Sequence, residues 1–483
     1  DYTIIKSRDL TDYVLSQTIM LDPSRKFYVP DQVLEVTMAI KANDVPALGY
    51  VQYSIDTKKD SHKETADKKV LENEYYAIEV EENGSLTIVD KANNVTYKNQ
   101  GILVENGDDG DSFNYSPPRK DMEVFSNESK CTVKISGSDI YDQAEIHFDM
   151  VVPADLDERA EGKVSVTMPV DMTVALRKDS KVIDFNVKVD NKGLSHRLCV
   201  LFDSQIVSAF NYADQQFGLI KRPNYYEKEM KLYMESMNNK TEKKAGIQEL
   251  ANWANDQSTW QEPPISIEPT QSYVSLTDGK TGIAVIPQGV REYEVLDDSK
   301  IRLTLFRTYG FMGKENLIYR PGRASGERII ETPAAQLLKE MEFNFGFTSY
   351  AGDINDSDID TLAKQYNTNM EVYTYAEFLN GRLIFSQREI DGENAKIHSL
   401  FETEGNLVVS AVKKAEEDDG YIIRLYNGKD HKNLDDKIKF NFDIKEAYYT
   451  NLKEEKTEEI KIENNTISVK ELSHCKFVTI WVK

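Results

Sequence analysis

Alternation of apolar and polar residues with a period of two is the feature of this sequence that most restricts its fold. The alternation recurs along nearly the whole chain, for example over residues 33–40, 75–80 and 163–176, whereas helical periodicity is scarce. Successive side chains of a strand point to opposite faces of a sheet, so this pattern is typical of strands with one buried face. The sequence therefore predicts a mostly β protein.

A long antiparallel series of strands is predicted approximately between residues 67 and 350. It includes a hairpin over residues 75–80 and 86–89, whose connection contains Asn83-Gly84, a pair that favours the positive φ of a tight turn. A series of this length with regular turns favours two antiparallel sheets packed face to face. We expect a large two-sheet sandwich here.

One helix and a further sandwich are predicted near the carboxyl terminus. Four apolar residues have the spacing of an amphipathic helix: Ile359, Leu362, Ala363 and Tyr366. Two polar residues that could cap this helix, Asp356 and Ser357, precede them. Period-two alternation then resumes from residue 407 to residue 482. We interpret the helix as a bridge to a last sandwich.

The length of 483 residues predicts several domains, because single cores rarely grow beyond about 250–300 residues. We expect a small β domain over residues 1–66, the large β-sandwich over residues 67–352, and a helical linker plus carboxyl-terminal β-sandwich over residues 353–483. The predicted fold class is mainly β: a large antiparallel two-sheet super-sandwich flanked by two smaller β-sandwich regions.

The charge balance restricts the classes of partner. The formal net charge is −23, and no run of five or more Lys or Arg residues interrupts the acidic surface, which argues against nucleic acid and anionic membranes as partners. The three separated cysteines fit reduced thiols in a bacterial cytoplasm, and no apolar stretch reaches the length of a membrane span. The start at Asp1-Tyr2 rather than Met suggests a piece of a longer protein, and homo-oligomers remain possible.

Several catalytic patterns are absent from the sequence. The six histidines never fall at the i, i+3 or i, i+4 spacing by which one element presents two imidazoles to a metal. The chain also has no Gly-x-Ser-x-Gly elbow, no Gly-rich phosphate loop and no Cys-x-x-Cys. The sequence therefore predicts no local metal site and assigns no catalytic residue.

Residues 105–118 form the segment with the clearest ligand-binding character. Carboxylates such as Asp109 and Asp111 accept hydrogen bonds from sugar hydroxyls, and aromatic faces such as those of Phe113 and Tyr115 cover the apolar side of a pyranose ring. This mixture suits a carbohydrate-facing loop. The alternative is an ordinary Asp/Gly turn, with or without an adventitious cation.

Two further places could bind a sugar. Arg307 ends a predicted strand, and its guanidinium offers a fixed fork of donors for vicinal hydroxyls, although a surface salt bridge is the alternative. Trp253 and Trp260 lie in a polar segment and suit either a stacking platform or the anchoring of a long loop to the sandwich.

Several segments of the chain together resemble the α-mannosidases of glycoside hydrolase family 38, especially the bacterial branch that includes the mannosylglycerate hydrolases, and they occur in the same order as in that family. They cover nearly the whole chain: residues 45–50, 71–76, 83–86, 107–118, 196–198, 217–223, 303–310, 332–336 and 410–416. Each segment is weak by itself, but their shared order is hard to obtain by chance.

The resemblance implies a three-part enzyme that retains the configuration of the sugar. A front α/β barrel would carry the nucleophilic Asp and a zinc ion held by His and Asp residues, followed by a helical bundle and then β-sandwiches, of which the large one is expected to be galactose-mutarotase-like. Every matched segment belongs to the sandwiches. The zinc of the intact enzyme and its catalytic carboxylates are therefore expected outside this chain.

The resemblance also implies residues at the rim of the sugar pocket. Phe113 aligns with a substrate-contacting Tyr and keeps a stacking face without the hydroxyl, for which Tyr115 is a substitute, while Arg307 aligns with an Arg near the site. Together with Asp109 and Asp111, these are the predicted substrate-binding residues. The stretch His196-Arg197-Leu198 is interpreted as structural.

The leading hypothesis is that this chain shapes the pocket of an α-mannosidase and meets its mannoside substrate only through the missing catalytic domain. The alternative is a non-catalytic carbohydrate-binding sandwich with its own glycan surface. A third possibility, a sugar epimerase or lyase on a similar sandwich, requires His147 or His196 to converge with a carboxylate.

Overall fold

The computed structural model describes residues 2–21, 32–53, 66–240, 262–320, 329–373, 397–430 and 432–483. These residues form mainly antiparallel strands, which confirms the β-rich class that the alternation predicts. No helix among them is long and apolar enough to cross a bilayer. All three cysteines are free thiols.

The described residues of the first region contain a strand pair and a helix. Its described residues form a single antiparallel pair, β1 (Tyr2–Asp9) with β2 (Leu34–Ile40), joined by α1 (Thr11–Leu21). The next strand, β3 (Gly49–Val51), pairs with β24 (Ile397–Ser399) of the last region. Within the described residues, therefore, no second sheet covers the β1–β2 pair as a sandwich requires.

The described residues of the large sandwich form twenty strands and two α-helices. In chain order these elements are β4 (Ala66–Asp67), β5 (Val70–Glu72), β6 (Tyr76–Val80), β7 (Leu86–Asp90), β8 (Val95–Gln100), β9 (Ile102–Gly107), β10 (Val124–Phe125), β11 (Lys130–Gly137), β12 (Tyr141–Val152), α2 (Leu156–Ala160), β13 (Val166–Arg177), β14 (Ile183–Asp190), β15 (His196–Asp203), β16 (Phe210–Gln215), β17 (Gly218–Pro223), α3 (Glu227–Lys240), β18 (Glu268–Pro269), β19 (Val274–Thr277), β20 (Thr281–Gln288), β21 (Glu292–Leu296), β22 (Lys300–Arg307) and β23 (Glu340–Ala351).

Three sheets build this sandwich. The ten-stranded sheet has the order β17-β16-β19-β20-β23-β14-β13-β12-β11-β4, the six-stranded sheet β10-β9-β15-β22-β21-β18, and a four-stranded sheet β5-β6-β7-β8. Inward-facing apolar side chains from all three form one continuous core. Phe185 and Phe345 of the first sheet stack at 5.2 Å, and Phe202 of the second stacks on Phe347 at 5.3 Å, so aromatic burial ties the two large sheets together.

The hairpin β6–β7 has the predicted position and turn. Gly84 adopts φ +80° and donates its N–H to the carbonyl oxygen of Glu81 at 2.9 Å, whereas its predicted partner Asn83 is not among the residues with positive φ. A Cβ added at Gly84 would lie 2.5 Å from the ring of Phe148. The glycine is therefore required both by the turn and by the close approach of the neighbouring sheet.

The last region is the predicted helix and sandwich. Its elements are α4 (Ile359–Asn367), β24, β25 (Phe401–Thr403), β26 (Val408–Lys414), β27 (Tyr421–Tyr426), β28 (Leu434–Phe440), β29 (Ala447–Thr450), β30 (Lys456–Glu459), β31 (Ile462–Glu463), β32 (Thr466–Leu472) and β33 (Phe477–Val482). Two sheets, β25-β28-β32-β31 and β26-β27-β33-β29-β30, enclose a separate core. Helix α4 packs Ile359 and Ala363 against the large sandwich, as the spacing predicts.

A partly buried carboxylate, Asp214, marks the junction of the large sandwich with α4. Burial is the main cause that raises the pKa of Asp214 to about 6, and the neighbouring Asp360 adds to the effect, whereas the hydrogen bond from Ser272 at 2.5 Å opposes it. The carboxyl of Asp214 therefore stays protonated to a higher pH in the folded chain than in the unfolded chain. Its contribution to stability is largest at acid pH and is lost as the pH rises from about 4 towards about 6.

Asp214→Asn is expected to remove that pH dependence. Asparagine keeps an acceptor for Ser272 but carries no charge, so the variant should be more stable than the parent chain near pH 7 by roughly 1–2 kcal/mol. The measurement is the difference in unfolding free energy between variant and parent from pH 4 to pH 7. A difference that stays constant over this range contradicts the assignment.

Candidate functional site

The topology of the six-stranded sheet builds the candidate site. Strands β9 and β22 each pair antiparallel with β15 and therefore run parallel to one another on either side of it. Their carboxyl ends, Gly107 and Arg307, lie opposite His196 and Arg197, the first residues of β15. The loop that follows β9 and the side chain that ends β22 are thereby brought to the same edge.

Arg307 holds this loop through the buried carboxylate of Asp108. Its Nε donates to Oδ2 at 2.6 Å and its Nη2 to Oδ1 at 3.1 Å, and Nη2 also donates to the carbonyl oxygens of Asp111 and Asn114, both at 2.9 Å. Burial raises the pKa of Asp108, and the guanidinium of Arg307 acts in the opposite direction. Arg307 thus serves as the internal clamp of the loop.

Asp111 is the second centre of the loop and is fully buried. Its carboxylate accepts the backbone N–H groups of Phe113, Asn114 and Lys314 at 2.8–3.0 Å and pairs with the guanidinium of Arg320. Burial acts to raise the pKa of Asp111, but the hydrogen bonds from Arg320 and from the three N–H groups outweigh it and hold the pKa below the ordinary value. The carboxylate is therefore charged and occupied within the protein.

The segment that follows β22 fastens the loop from outside. Lys314 forms an ion pair with Asp109, and the hydroxyl of Ser112 donates to the carbonyl oxygen of Met312 at 2.6 Å. Gly110 must be a glycine, because a Cβ there would collide with the carbonyl oxygen of Asn114. The loop is rigid as a consequence of these contacts, and its backbone is fixed before any ligand arrives.

Phe113 is the predicted residue whose side chain is most open to solvent, with 60% of its surface exposed. Met312 and Ile330, which are joined by a backbone hydrogen bond, are also exposed, at 45% and 46%. We call Phe113, Met312 and Ile330 the apolar rim. Exposed apolar groups on a rigid support are typical of a surface that meets another molecule or domain.

Tyr115 lies beneath the loop rather than on its surface. Only 7% of the residue is exposed, its hydroxyl accepts a hydrogen bond from Asn106 at 3.0 Å, and the guanidinium of Arg197 lies 4.0 Å from the centre of its ring. Burial raises the pKa of Tyr115, so the phenol stays neutral. This geometry favours a supporting role for Tyr115 beneath the loop.

A layer of buried charges supports the site. His196 contacts the carboxylate of Glu105 at 3.0 Å and the amide oxygen of Asn191 at 2.9 Å, and Arg159 also binds Glu105. Arg197 donates to Asn106 at 2.9 Å and to Glu294 at 2.8 Å. These contacts agree with the structural interpretation of the stretch His196-Arg197-Leu198.

Sequence reasoning missed the basic partners of the loop. Arg159, Lys314 and Arg320 hold the loop or the layer beneath it, but nothing local in the sequence distinguishes them, since Arg320 follows Asp111 by 209 residues. The predicted candidates Trp253 and Trp260 lie outside the described residues. Among the described residues no three His, Cys, Asp or Glu side chains are grouped so that they fit a metal ion, and zinc therefore has no matching site in that part of the chain.

Two models of one family match the chain. Residues 71–311 match the glycosyl hydrolases family 38 C-terminal domain, and residues 406–479 match the glycosyl hydrolases family 38 C-terminal β-sandwich domain. Together they account for more than half of the chain, and the first contains both Phe113 and Arg307.

Relatives and solved structures extend this likeness. A putative mannosylglycerate hydrolase of Halalkalibacterium halodurans is 24% identical over 420 residues, which are 83% of this chain and 40% of the relative. Two structures from Enterococcus faecalis, one of a family 38 glycosyl hydrolase and one of an α-mannosidase, cover the whole chain with TM-scores of 0.70 at 19% identity. These two comparisons show the fold, and the chain spans about half the length of those structures.

Proposed function

This chain belongs to glycosyl hydrolase family 38, as a carboxyl-terminal portion, and from that premise we propose that it forms the pocket wall of a retaining α-mannosidase. Members of the family are glycoside hydrolases. The proposed substrates are α-mannosides of the glycan or mannosylglycerate type, a class suggested by the names of the relative and of the solved neighbour.

The observation that carries this proposal is the exposure of the Phe113 side chain at the edge of the six-stranded sheet. A loop held by Arg307 and Arg320 presents an aromatic ring to solvent at the edge of the sheet. Burial of a large apolar side chain is worth about 1.5–3 kcal/mol, so an exposed ring at the edge of the sheet can stabilise contact with a partner surface. A ring that closes a sugar pocket against a second domain has a reason to remain exposed.

The work assigned to this chain is binding and exclusion of water. Phe113 would cover the apolar face of the mannose ring, and Met312 and Ile330 would pack against the catalytic domain around it. Retention requires two carboxylates close together, one as nucleophile and one as acid and base. We assign both carboxylates, and the ligands of the zinc ion typical of the family, to a catalytic domain that this chain does not contain.

The free thiols and the acidic surface also suit a cytoplasmic enzyme of a bacterium, which forms part of this proposal. A homo-oligomer remains compatible with the same account, and a mannoside is the partner that we expect at the site.

Phe113→Ala is expected to lower kcat/KM of the intact enzyme for an aryl α-mannoside by roughly tenfold, equivalent to about 1.4 kcal/mol of lost transition-state binding. The ring is exposed, so its removal should leave the thermal unfolding of the chain unchanged within experimental scatter. Phe113→Tyr should keep the activity, because the stacking face is retained.

Phe210→Ala provides the matched control, since Phe210 is also exposed, at 43%, but lies on β16 of the other large sheet. This control should leave kcat/KM unchanged. Equal activities for Phe113→Ala, Phe210→Ala and the parent enzyme would exclude Phe113 from the pocket.

A further inference from the structure

A concavity lined by polar and apolar groups lies on the outer face of the ten-stranded sheet. It is open to solvent, has a volume of about 500 Å³, and is formed by outward-facing side chains of β11 to β14. The candidate loop follows β9 of the six-stranded sheet, so the two places belong to different sheets of the sandwich. We call this concavity the sheet groove.

Side-chain length explains why a strand surface is concave here. Cross-strand register aligns Lys134 with Glu145, Glu145 with Thr173, and Thr173 with Asn186. Thr173 and Asn186 are short and half-buried although they face outward, whereas Lys134 and Glu145 are long and exposed. The short residues form the floor, and the long residues at one side form a wall.

The adjacent row of side chains completes the groove. Thr132 stands beside His147, His147 beside Asp171, and Asp171 beside Lys188. The ring nitrogen Nδ1 of His147 lies 2.7 Å from the carboxylate of Asp171, and Nε2 lies 3.4 Å from Asp149, so carboxylates fix the ring on both sides. His147 does converge with carboxylates, but these exposed pairs are satisfied with each other rather than directed into an enclosed cleft.

The charges of the groove cancel. Lys134 pairs with Glu145 at 3.5 Å, and Lys188 lies 3.8 Å from Glu342 at the far edge. Hydroxyl, amide, ammonium and carboxylate groups therefore alternate along the surface with little net charge, although the chain as a whole carries −23. Such a surface has no preference for an anion or a cation, but it offers donors and acceptors at the spacing of neighbouring strands, about 4.8 Å.

We propose that the sheet groove is a second carbohydrate site that binds neutral α-mannosides along the row Thr173–Asn186. A polyol needs neutral hydrogen-bonding groups in one plane, and the hydroxyl of Thr173 and the amide oxygen of Asn186 supply them, whereas the amide nitrogen of Asn186 already donates to Glu342 at 2.6 Å and to Asn344 at 2.7 Å. The choice of mannose among neutral sugars rests on the proposed function. The groove would hold a sugar unit of a longer chain away from the pocket rim and thereby raise the local concentration of substrate.

The test titrates the full chain with methyl α-D-mannopyranoside and with a linear α-mannotriose, followed by calorimetry and saturation-transfer NMR. The parent chain should bind the trisaccharide with a dissociation constant on the order of 1 mM. The double variant T173V/N186A, which removes the hydroxyl and amide of the floor, should bind at least about tenfold more weakly.

Thr167→Val is the matched control. Thr167 lies on the same strand and the same face as Thr173 but outside the groove, so its substitution should leave affinity unchanged. Phe113→Ala should also leave sugar binding by the sheet groove intact. The two proposals can therefore be separated, because loss of the pocket function does not require loss of groove binding, and loss of groove binding does not require loss of the pocket function.

Binding that T173V/N186A weakens and Thr167→Val does not would support the sheet groove. Two results overturn it: no saturable binding of either sugar by the parent chain, or equal affinities for the parent chain and T173V/N186A. Thermal unfolding of each variant checks that the fold is retained, because Asn186 is half-buried and also donates hydrogen bonds to Glu342 and Asn344.

Discussion

Arg307→Met is expected to lower the free energy of unfolding by about 3–5 kcal/mol, because it leaves the buried carboxylate of Asp108 without its ionic partner. Asp108 is 1% exposed and has no other cation within bonding distance among the contacts that the structure describes. Two carbonyl oxygens, those of Asp111 and Asn114, lose a donor at the same time. Chemical denaturation with urea measures the difference.

Arg8→Met is the control for this substitution. Arg8 pairs with Glu35 at 3.0 Å on the exposed β1–β2 pair, where both side chains are more than half exposed. Such surface pairs contribute about 0–1 kcal/mol. Equal losses for Arg307→Met and Arg8→Met would mean that Arg307 is a surface residue rather than the clamp of the loop.

Asp111→Ala is expected to destabilise the chain by a similar amount, about 3–5 kcal/mol, and to release the loop that carries Phe113. Arg320, which is 3% exposed, would lose its buried partner, and three backbone N–H groups would lose their acceptor. Asp111→Asn should lose less, because the amide oxygen can still accept from Phe113 and Asn114.

The effect of Asp111→Ala depends on pH in a defined direction. The pKa of Asp111 is lower in the folded chain than its ordinary value of 3.8, so its stabilising contribution is complete above that value and is lost as the pH falls through the folded pKa. The difference between Asp111→Ala and the parent chain should therefore shrink on acidification below about pH 4. A difference that grows under acid conditions contradicts this assignment.

The strands were largely predictable because their signal is local. Alternation identifies β6 and β7, and helical spacing of apolar residues identifies α4, within about two residues of their ends, since burial of one face is encoded at each position. Helix α3 was missed because its sequence is rich in charge and lacks a clear apolar face, and Met230 and Met234 remain exposed. Alternation does not tell how many strands face a given strand, and in the first region the described residues form one strand pair.

The loop of the candidate site was predictable in composition but not in orientation. Phe113 and Tyr115 occupy alternate positions, which in a strand would place them on one face. The turn that Asp111 makes with Phe113 and Asn114 breaks that parity, so one ring is exposed and the other buried. The sheet groove was invisible for a related reason, because it depends on the register of four strands whose outward residues look ordinary one at a time.

The central claim is a division of labour in which this chain frames a mannoside pocket and another domain breaks the bond. The most direct test assays hydrolysis of an aryl α-mannoside by this chain alone, with and without added zinc, beside the intact enzyme. We expect zinc-dependent hydrolysis of the aryl α-mannoside by the intact enzyme and no hydrolysis by the isolated chain. Zinc-dependent turnover by the isolated chain would contradict the central claim.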